Sequence, residues 1–556
     1  MEAQFMYEKN INIIMGNQIA TSYVRKRDCY NQLKGFMQHE YPGKICALYG
    51  LRRTGKTVMM YQYISELSDK DKEKTVYILC LRECDMLELR QAMEDLYDKG
   101  VRNFFLDEIT EVTDFQKYGN TFSDYFAAKG AKIVIAGTDS LGIMLAQSDI
   151  LYDRIQMIHT SYIPFAEFSK LIENDSVDEY IEYGGTLTKS PYKTLQASEE
   201  YQNTAIVGNI LHSLEKSEDA RRYGAAITEL YEQNELKSVL NKMINKFSYY
   251  TTVKAVNKCF KSAPLYSTIH NIQEPSYVSL INTEEANQAT KNALGIKDLD
   301  EMQTSLSKRH LDELKNYLLE LELFLEIPSY ISLNSGERSE DLEIFMQPGM
   351  IYAHSTALIK NLADDSMWKD TCGIADRNLF ILRADHFVKG ILLENIILAE
   401  TYKTFQKIDL DRYYVSQLSI TLRNNNQHVE ADMILVDKQK GESYLFEVKY
   451  SNQIVIDQTK HLRNTDFLEY IDENFGKVKS RLVLYTGASS KQNDVLYLNA
   501  ATYLKRLSIV SNTPRPEIKQ LLNENCNTSK PNLKTTSRKK PVSYTHLRAH
   551  ETCADL

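Results

Sequence analysis

The eight residues Gly50-Leu-Arg-Arg-Thr-Gly-Lys-Thr57 constrain what this chain can fold into more than any other stretch. They place glycine, glycine-lysine and threonine at phosphate-loop spacing, which has meaning only between a strand and a helix. Both flanks are present. Ile45-Cys-Ala-Leu-Tyr49 is an apolar run suited to a buried parallel strand, and Val58-Met-Met-Tyr-Gln-Tyr-Ile64 continues as a helix. Gly50 and Gly55 let the backbone wrap an anion closely. Successive N–H groups through Leu51, Arg52, Arg53 and Thr54, with the helix N-terminus, supply the donors. Lys56 is placed to reach the β- and γ-phosphates and Thr57 to ligate magnesium, so ATP with Mg²⁺ is the expected ligand pair.

A second feature follows about 50 residues later. Asn103-Phe-Phe-Leu-Asp-Glu108 reads as an apolar strand ending in two carboxylates, and ligands bind at strand carboxyl ends in open α/β sheets. Asp107 is expected to hold magnesium through water and Glu108 to polarise the attacking water. Adjacent side chains on a strand face opposite ways, but a turn at its end can bring both to one site. A third strand, Lys132-Ile-Val-Ile-Ala136, leads into Gly137-Thr-Asp-Ser140. Thr138 and Ser140 are candidates for sensing the γ-phosphate, with a plain loop as the alternative. Asp153-Arg154 then precedes a short strand. Arg154 is a candidate for neutralising transition-state charge, in cis or on a neighbouring copy, and a surface ion pair is the competing reading.

Bulk properties narrow the setting. At roughly 150 residues per domain, 556 residues allow three or four domains. The net charge of −9 argues against a chain-wide nucleic-acid surface. The eight cysteines are scattered, and Cys80 with Cys84 lacks a second pair at zinc spacing, so they read as buried thiols of a reducing cytoplasm. No apolar run approaches the roughly 20 residues that span a bilayer, which excludes a membrane role by helices. Met1–Asn10 carries two glutamates and no basic apolar leader. Asn512 to Pro541, rich in Asn, Thr, Ser, Lys and Pro, reads as a disordered tail. Val542 to Thr552 looks like a translated sequencing adapter, so residues 542–556, with His546 and His550, are set aside.

A separate constellation lies near the C-terminus. Gly390 to Glu400 is helical in pattern and carries Glu394; Val429-Glu-Ala-Asp-Met-Ile-Leu-Val436 and Ser443-Tyr-Leu-Phe-Glu-Val-Lys449 read as strands. Glu447 and Lys449, two apart, share a strand face. Asp432, Glu447 and Glu394 are therefore candidate ligands for a second magnesium, with Lys449 as a catalytic lysine and Gln458 as an extension of the site. The competing reading is a half-exposed sheet with ordinary alternation, in which Glu430 is a solvated neighbour.

The ordered set Gly-Leu-Arg-Arg-Thr-Gly-Lys-Thr57, Phe-Leu-Asp-Glu108, Ala-Gly-Thr-Asp-Ser140, Asp-Arg154 and Ile163-Pro-Phe-Ala-Glu-Phe168 resembles the AAA-type ATPases of archaea and bacteria that carry a C-terminal DUF4143 domain. That family often shows Gly-Ser-Ser after the third strand and Gly-Arg before the fourth, where this chain has Gly137-Thr-Asp and Asp153-Arg154. The resemblance implies an α/β protein: a P-loop NTPase core with a parallel sheet, a helical lid, a winged-helix-like middle, and a C-terminal module of the restriction-endonuclease-like PD-(D/E)xK type. The corresponding division is an N-terminal segment 1–20, the ATPase core 21–174, the lid 175–245, the winged-helix-like region 246–375, the C-terminal domain 380–511 and the tail 512–541. Three functions stay open: an ATPase that switches a C-terminal partner-binding or nuclease-like module, a nucleotide-regulated Mg²⁺-dependent DNA endonuclease, and a nucleotide-binding scaffold without turnover. DNA, a protein partner and a second copy of the chain all remain candidate partners.

Overall fold

The computed structural model describes residues 11–522 apart from 82–83, 138–142, 144–150, 161, 217–224, 261–306, 334–335, 366–368, 370–372, 423–426, 455–458, 493 and 514–516. Thr138, Ser140, Gln458 and residues 523–541 lie outside these.

The first half is built on strands β1 (Ile11–Met15), β2 (Ile45–Tyr49), β3 (Thr75–Cys80), β4 (Asn103–Asp107), β5 (Lys132–Ala136) and β6 (Ile155–His159). They form one sheet in the order β1-β3-β4-β5-β2-β6, parallel except for β1 at the edge. Continuous apolar strands such as Phe104-Phe105-Leu106, all fully buried, are what a sheet covered on both faces requires. Helices α1 (Tyr30–Gln38), α2 (Lys56–Ser65), α3 (Met86–Asp98) and α4 (Phe165–Ile172) belong to this half. Asp85 caps α3 by accepting from the Glu88 N–H. Within the expected N-terminal segment 1–20, Ile11–Met15 join this sheet as β1, paired with β3.

The middle contributes α5 (Val177–Tyr183), α6 (Leu195–Gln202), α7 (Leu236–Phe260) and α8 (Lys308–Glu320). The second sheet holds β7 (Phe324–Leu333), β8 (Gly336–Phe345), β9 (Tyr413–Thr421), β10 (His428–Asp437), β11 (Glu442–Lys449), β12 (Lys477–Tyr485), β13 (Ser490–Gln492) and β14 (Val495–Asn499). Its order is β13-β14-β12-β11-β10-β9-β7-β8. Helices α9 (Pro348–Ala363), α10 (Ile374–Asp409), α11 (Thr465–Phe475), α12 (Ala500–Ser511) and α13 (Ile518–Leu522) complete it.

Three expectations change here. The hairpin expected as a wing is the edge of the C-terminal sheet, because β7 pairs in parallel with β9 from Ser329↔Gln417 to Ser332↔Ile420. The helices of 175–245 are not a detached lid: Tyr180, Tyr201, Ile206 and Leu240 share one apolar core with Met350, Leu393 and Leu484. Part of the expected tail is ordered, since Ile518 and Leu521 are buried in α13. The 36 residues of α10 span about 54 Å at 1.5 Å per residue, long enough to touch both halves.

Candidate functional site

The loop after β2 turns through backbone conformations that its residues make affordable. Gly50 and Gly55 have φ of 133° and 94°, and Arg53 adopts the left-handed region at 64°. Gly55 forms the N-cap of α2, so the first free N–H groups of that helix border the loop. Lys56 is buried, and its Nζ donates to Gly50 O and Leu51 O, each at 2.8 Å. Burial lowers that ammonium to about 8, against the opposing pull of Glu108 and Asp107.

The second expected pair meets the first. Thr57 Oγ1 donates to Asp107 Oδ2 at 2.6 Å, joining residues separated by 50 positions. Asp107 is buried and accepts a second bond from the Tyr77 hydroxyl at 2.9 Å. Glu108 has φ 53°, and this left-handed turn lets it leave the strand on the side where Lys56 feels its charge. The loop, Asp107 and Glu108 thus converge at the carboxyl end of the parallel sheet.

Arg154 does not join them. Parallel pairing sets Ile155 beside Ile45, at the amino end of β2, whereas the loop begins beyond Tyr49. At about 3.3 Å per residue, Arg154 lies roughly 16 Å away along the strands. It is half-exposed and pairs with Asp124 at 3.3 Å. A cis role at this chain's own loop is therefore ruled out by strand direction.

A buried arginine that the motif does not contain fastens the site. Arg27 Nε donates to Glu167 Oε1 at 2.5 Å; its Nη atoms reach Thr160 O and Tyr162 O, each at 3.1 Å, and also Thr54 O in the loop. Glu167 accepts the Asp28 N–H as well, at 2.8 Å. Glu167 sits in Ile163-Pro-Phe-Ala-Glu-Phe168, but only the fold reveals that its partner is Arg27, 140 positions away. Tyr77 had no sequence signal beyond strand alternation.

The second constellation assembles differently from expectation. A bulge separates Ala431 from Ile434 in the β9–β10 register, so Asp432 and Met433 occupy the space of one residue. Pairing with β11 ends at Met433↔Phe446, and Asp432 Oδ2 instead accepts the Val448 N–H at 2.7 Å. Burial, then the charges of Glu394 and Glu447, hold the Asp432 carboxyl well above its usual range. Asp432, Glu447, Lys449 and Glu394 are therefore electrostatic neighbours. They do not form a cage. Glu447 gives one oxygen to Lys449 Nζ and the other to His461 Nε2 at 2.8 Å. Burial pushes the Glu447 carboxyl up, but the His461 hydrogen bond and the Lys449 charge outweigh it and hold it low. Glu394 lies 3.7 Å from both Lys254 and Lys258 of α7. Among the described residues, no group of three or more His, Cys, Asp or Glu side chains is arranged to hold a metal ion. Each of the carboxylates expected to hold a second magnesium thus has a protein partner in this structure. Glu430 is an exposed neighbour bonded to His428.

Residues 42–169 match the family model described as an AAA domain. The match supports an ATPase-type nucleotide-binding function for this segment, and that family implies ATP, usually with magnesium. Residues 389–503 match the model described as a domain of unknown function, DUF4143, so the expected pairing of domains is present. No curated protein matches the chain. Among solved structures, the crystal structure of protein VC1899 from Vibrio cholerae aligns over 74% of this chain and 91% of that chain, at 11% identity and a TM-score of 0.18. Among the described residues, no helix is long and apolar enough to cross a membrane.

Proposed function

We propose that this protein binds ATP with magnesium at Gly50–Thr57, hydrolyses it, and uses the cycle to switch the module built on the C-terminal sheet. The observation that carries this reading is the 2.6 Å bond between Thr57 Oγ1 and Asp107 Oδ2. A hydroxyl and a carboxylate oxygen held together beside a buried lysine are the hard donors magnesium takes, and their fit to the cation supports the reading. Magnesium, when bound, would supply positive charge against the phosphates. Lys56 would exchange its bonds to two loop carbonyls for bonds to phosphate oxygens. Tyr77 holds Asp107 in place, and Glu108 orients the attacking water as general base. Arg154, at the far end of the sheet, would serve only an adjoining copy of the chain. Calorimetry on Lys56→Ala tests the assignment. Tight ATP binding should disappear, and an unchanged affinity would remove it.

One observation favours a second reading, Mg²⁺-dependent DNA cleavage by the C-terminal module. Lys449 Nζ bonds Glu447, and Asp432 accepts the Val448 N–H between them, so two carboxylates and the lysine that such a reaction uses lie in one cluster. Plasmid cleavage with magnesium, lost in Asp432→Ala while ATP turnover persists, is the expected result on that reading. A wild-type protein that leaves the plasmid intact removes it.

A further inference from the structure

Two carbonyls of the phosphate loop are held from beyond residue 174. Tyr201 of α6 donates its hydroxyl to Arg52 O at 3.0 Å, and the Leu187 N–H donates to Arg53 O at 3.1 Å. Because a peptide unit is planar, fixing an oxygen fixes the N–H on its other side. Tyr201 therefore sets the direction of the Arg53 N–H, and Leu187 that of the Thr54 N–H. Arg27, through Thr54 O, does the same for the Gly55 N–H. These are the successive donors on which an anion site of this kind depends. Leu51, fully buried, ties the same loop into the apolar core shared with the C-terminal half.

Tyr201 is in turn connected to the second sheet. Its buried ring meets Tyr192 edge-on, with centroids 5.8 Å apart and planes at 84°. The Tyr192 hydroxyl donates to Gln347 Oε1 at 2.8 Å. Gln347 is 2% exposed and precedes α9, two residues after β8 ends. Its amide also faces the Tyr201 hydroxyl, while its Nε2 has no partner at hydrogen-bond distance. Glycine backbone packs directly against these side chains, with no room for a Cβ. A Cβ on Gly185, at φ +111°, would stand 2.8 Å from Gln347 Cβ, and one on Gly349 would stand 2.5 Å from the Tyr192 ring. The junction is tightly packed, and the Gly349 N–H bonds Gly184 O at 3.2 Å.

We infer that Tyr201 is a positioning residue of the phosphate loop, and that Gln347 links the loop's geometry to the C-terminal sheet. The inference rests on the ATP-binding reading and adds to it the route by which the two halves communicate. Loss of the Tyr201 hydroxyl frees the Arg52–Arg53 peptide to rotate, so the anion site loses one aligned donor. Loss of the Gln347 amide frees the Tyr192 hydroxyl and acts on the loop only through the contact of the Tyr192 and Tyr201 rings.

Calorimetric titration of the full chain with Mg-ATP and with tripolyphosphate tests this. Tyr201→Phe, which keeps the ring, should raise the Kd of both ligands by about 3- to 10-fold, the worth of one hydrogen bond. Gln347→Leu should weaken both by about 2- to 3-fold, and the double variant should bind no more weakly than Tyr201→Phe alone. Additive losses, or an effect on ATP without one on tripolyphosphate, would overturn the inference. If Tyr201→Phe binds like wild type while Lys56→Ala does not, the positioning role fails and the phosphate-loop reading stands. If Lys56→Ala also binds like wild type, that reading falls first. Should Tyr201→Phe lose its fold, Gln347→Leu alone decides: wild-type affinity refutes the link.

Discussion

Replacing Arg27 with alanine should damage the N-terminal half more than any surface change, and more than removing its own ion-pair partner. Arg27 and Glu167 are each 4% exposed, so neither is screened by solvent. Taking away the arginine leaves Glu167 buried with the Asp28 N–H still donating to it, and takes a donor from three carbonyls, Thr54, Thr160 and Tyr162. Breaking a buried pair from one side costs about 3–5 kcal/mol. For a cooperative unit of this size, about 2–4 °C per kcal/mol converts that to a loss of roughly 6–20 °C in Tm. Glu167→Ala is milder, because the guanidinium keeps its three carbonyl acceptors; about half the loss is expected, or roughly 2 kcal/mol. The double variant removes the stranded charge and should cost less than the two single losses together. Scanning calorimetry of the three variants measures all of this. An Arg27→Ala shift below about 3 °C, or a Glu167→Ala loss as large as that of Arg27→Ala, would refute the argument that an unpaired buried carboxylate dominates.

Two further outcomes follow from the same geometry. Glu108→Gln should bind ATP with near wild-type affinity and slow hydrolysis by about 100-fold or more, read as phosphate release, since the amide keeps size but loses the base. Glu400 of α10 is buried and accepts the Phe165 N–H at 2.6 Å, at the start of α4; burial raises its carboxyl from 4.5 to about 8. A carboxyl whose folded pKa is raised stabilises the fold fully below 4.5, and that contribution is lost as pH rises through about 8. Glu400→Gln mimics the protonated form and keeps the acceptor, so its Tm should exceed the wild-type value at pH 9 by several degrees and match it near pH 5. A constant difference between the two proteins across that range would be the contrary result.

The sequence alone was enough to point to the proposed nucleotide site because its chemistry is local. Gly50 to Thr57 is one unbroken stretch whose glycines, lysine and threonine act within a single strand–loop–helix unit. Asp107 and Glu108 end a strand whose apolar run announces itself. Asp432, Glu447 and Lys449 were legible as neighbours for a similar reason, since two successive strands and a two-residue spacing bring them together. The tertiary structure decided the rest. A hairpin shows the same alternation whether it is a wing or a sheet edge, and only the parallel pairing of β7 with β9 distinguishes the two. Glu447 looks like a metal ligand until His461 and Lys449 take its oxygens, and those partners depend on how β11 meets the segment after it. Arg154 keeps its plausible spacing until strand direction sets it at the wrong end of the sheet. Arg27 and Tyr201 carry no periodic signal, because a hydrogen bond to a backbone carbonyl leaves no pattern in the residue that accepts it. Local conformation is written in neighbouring residues, whereas the partner of a buried charge or hydroxyl is chosen by the packing that carries distant segments within reach.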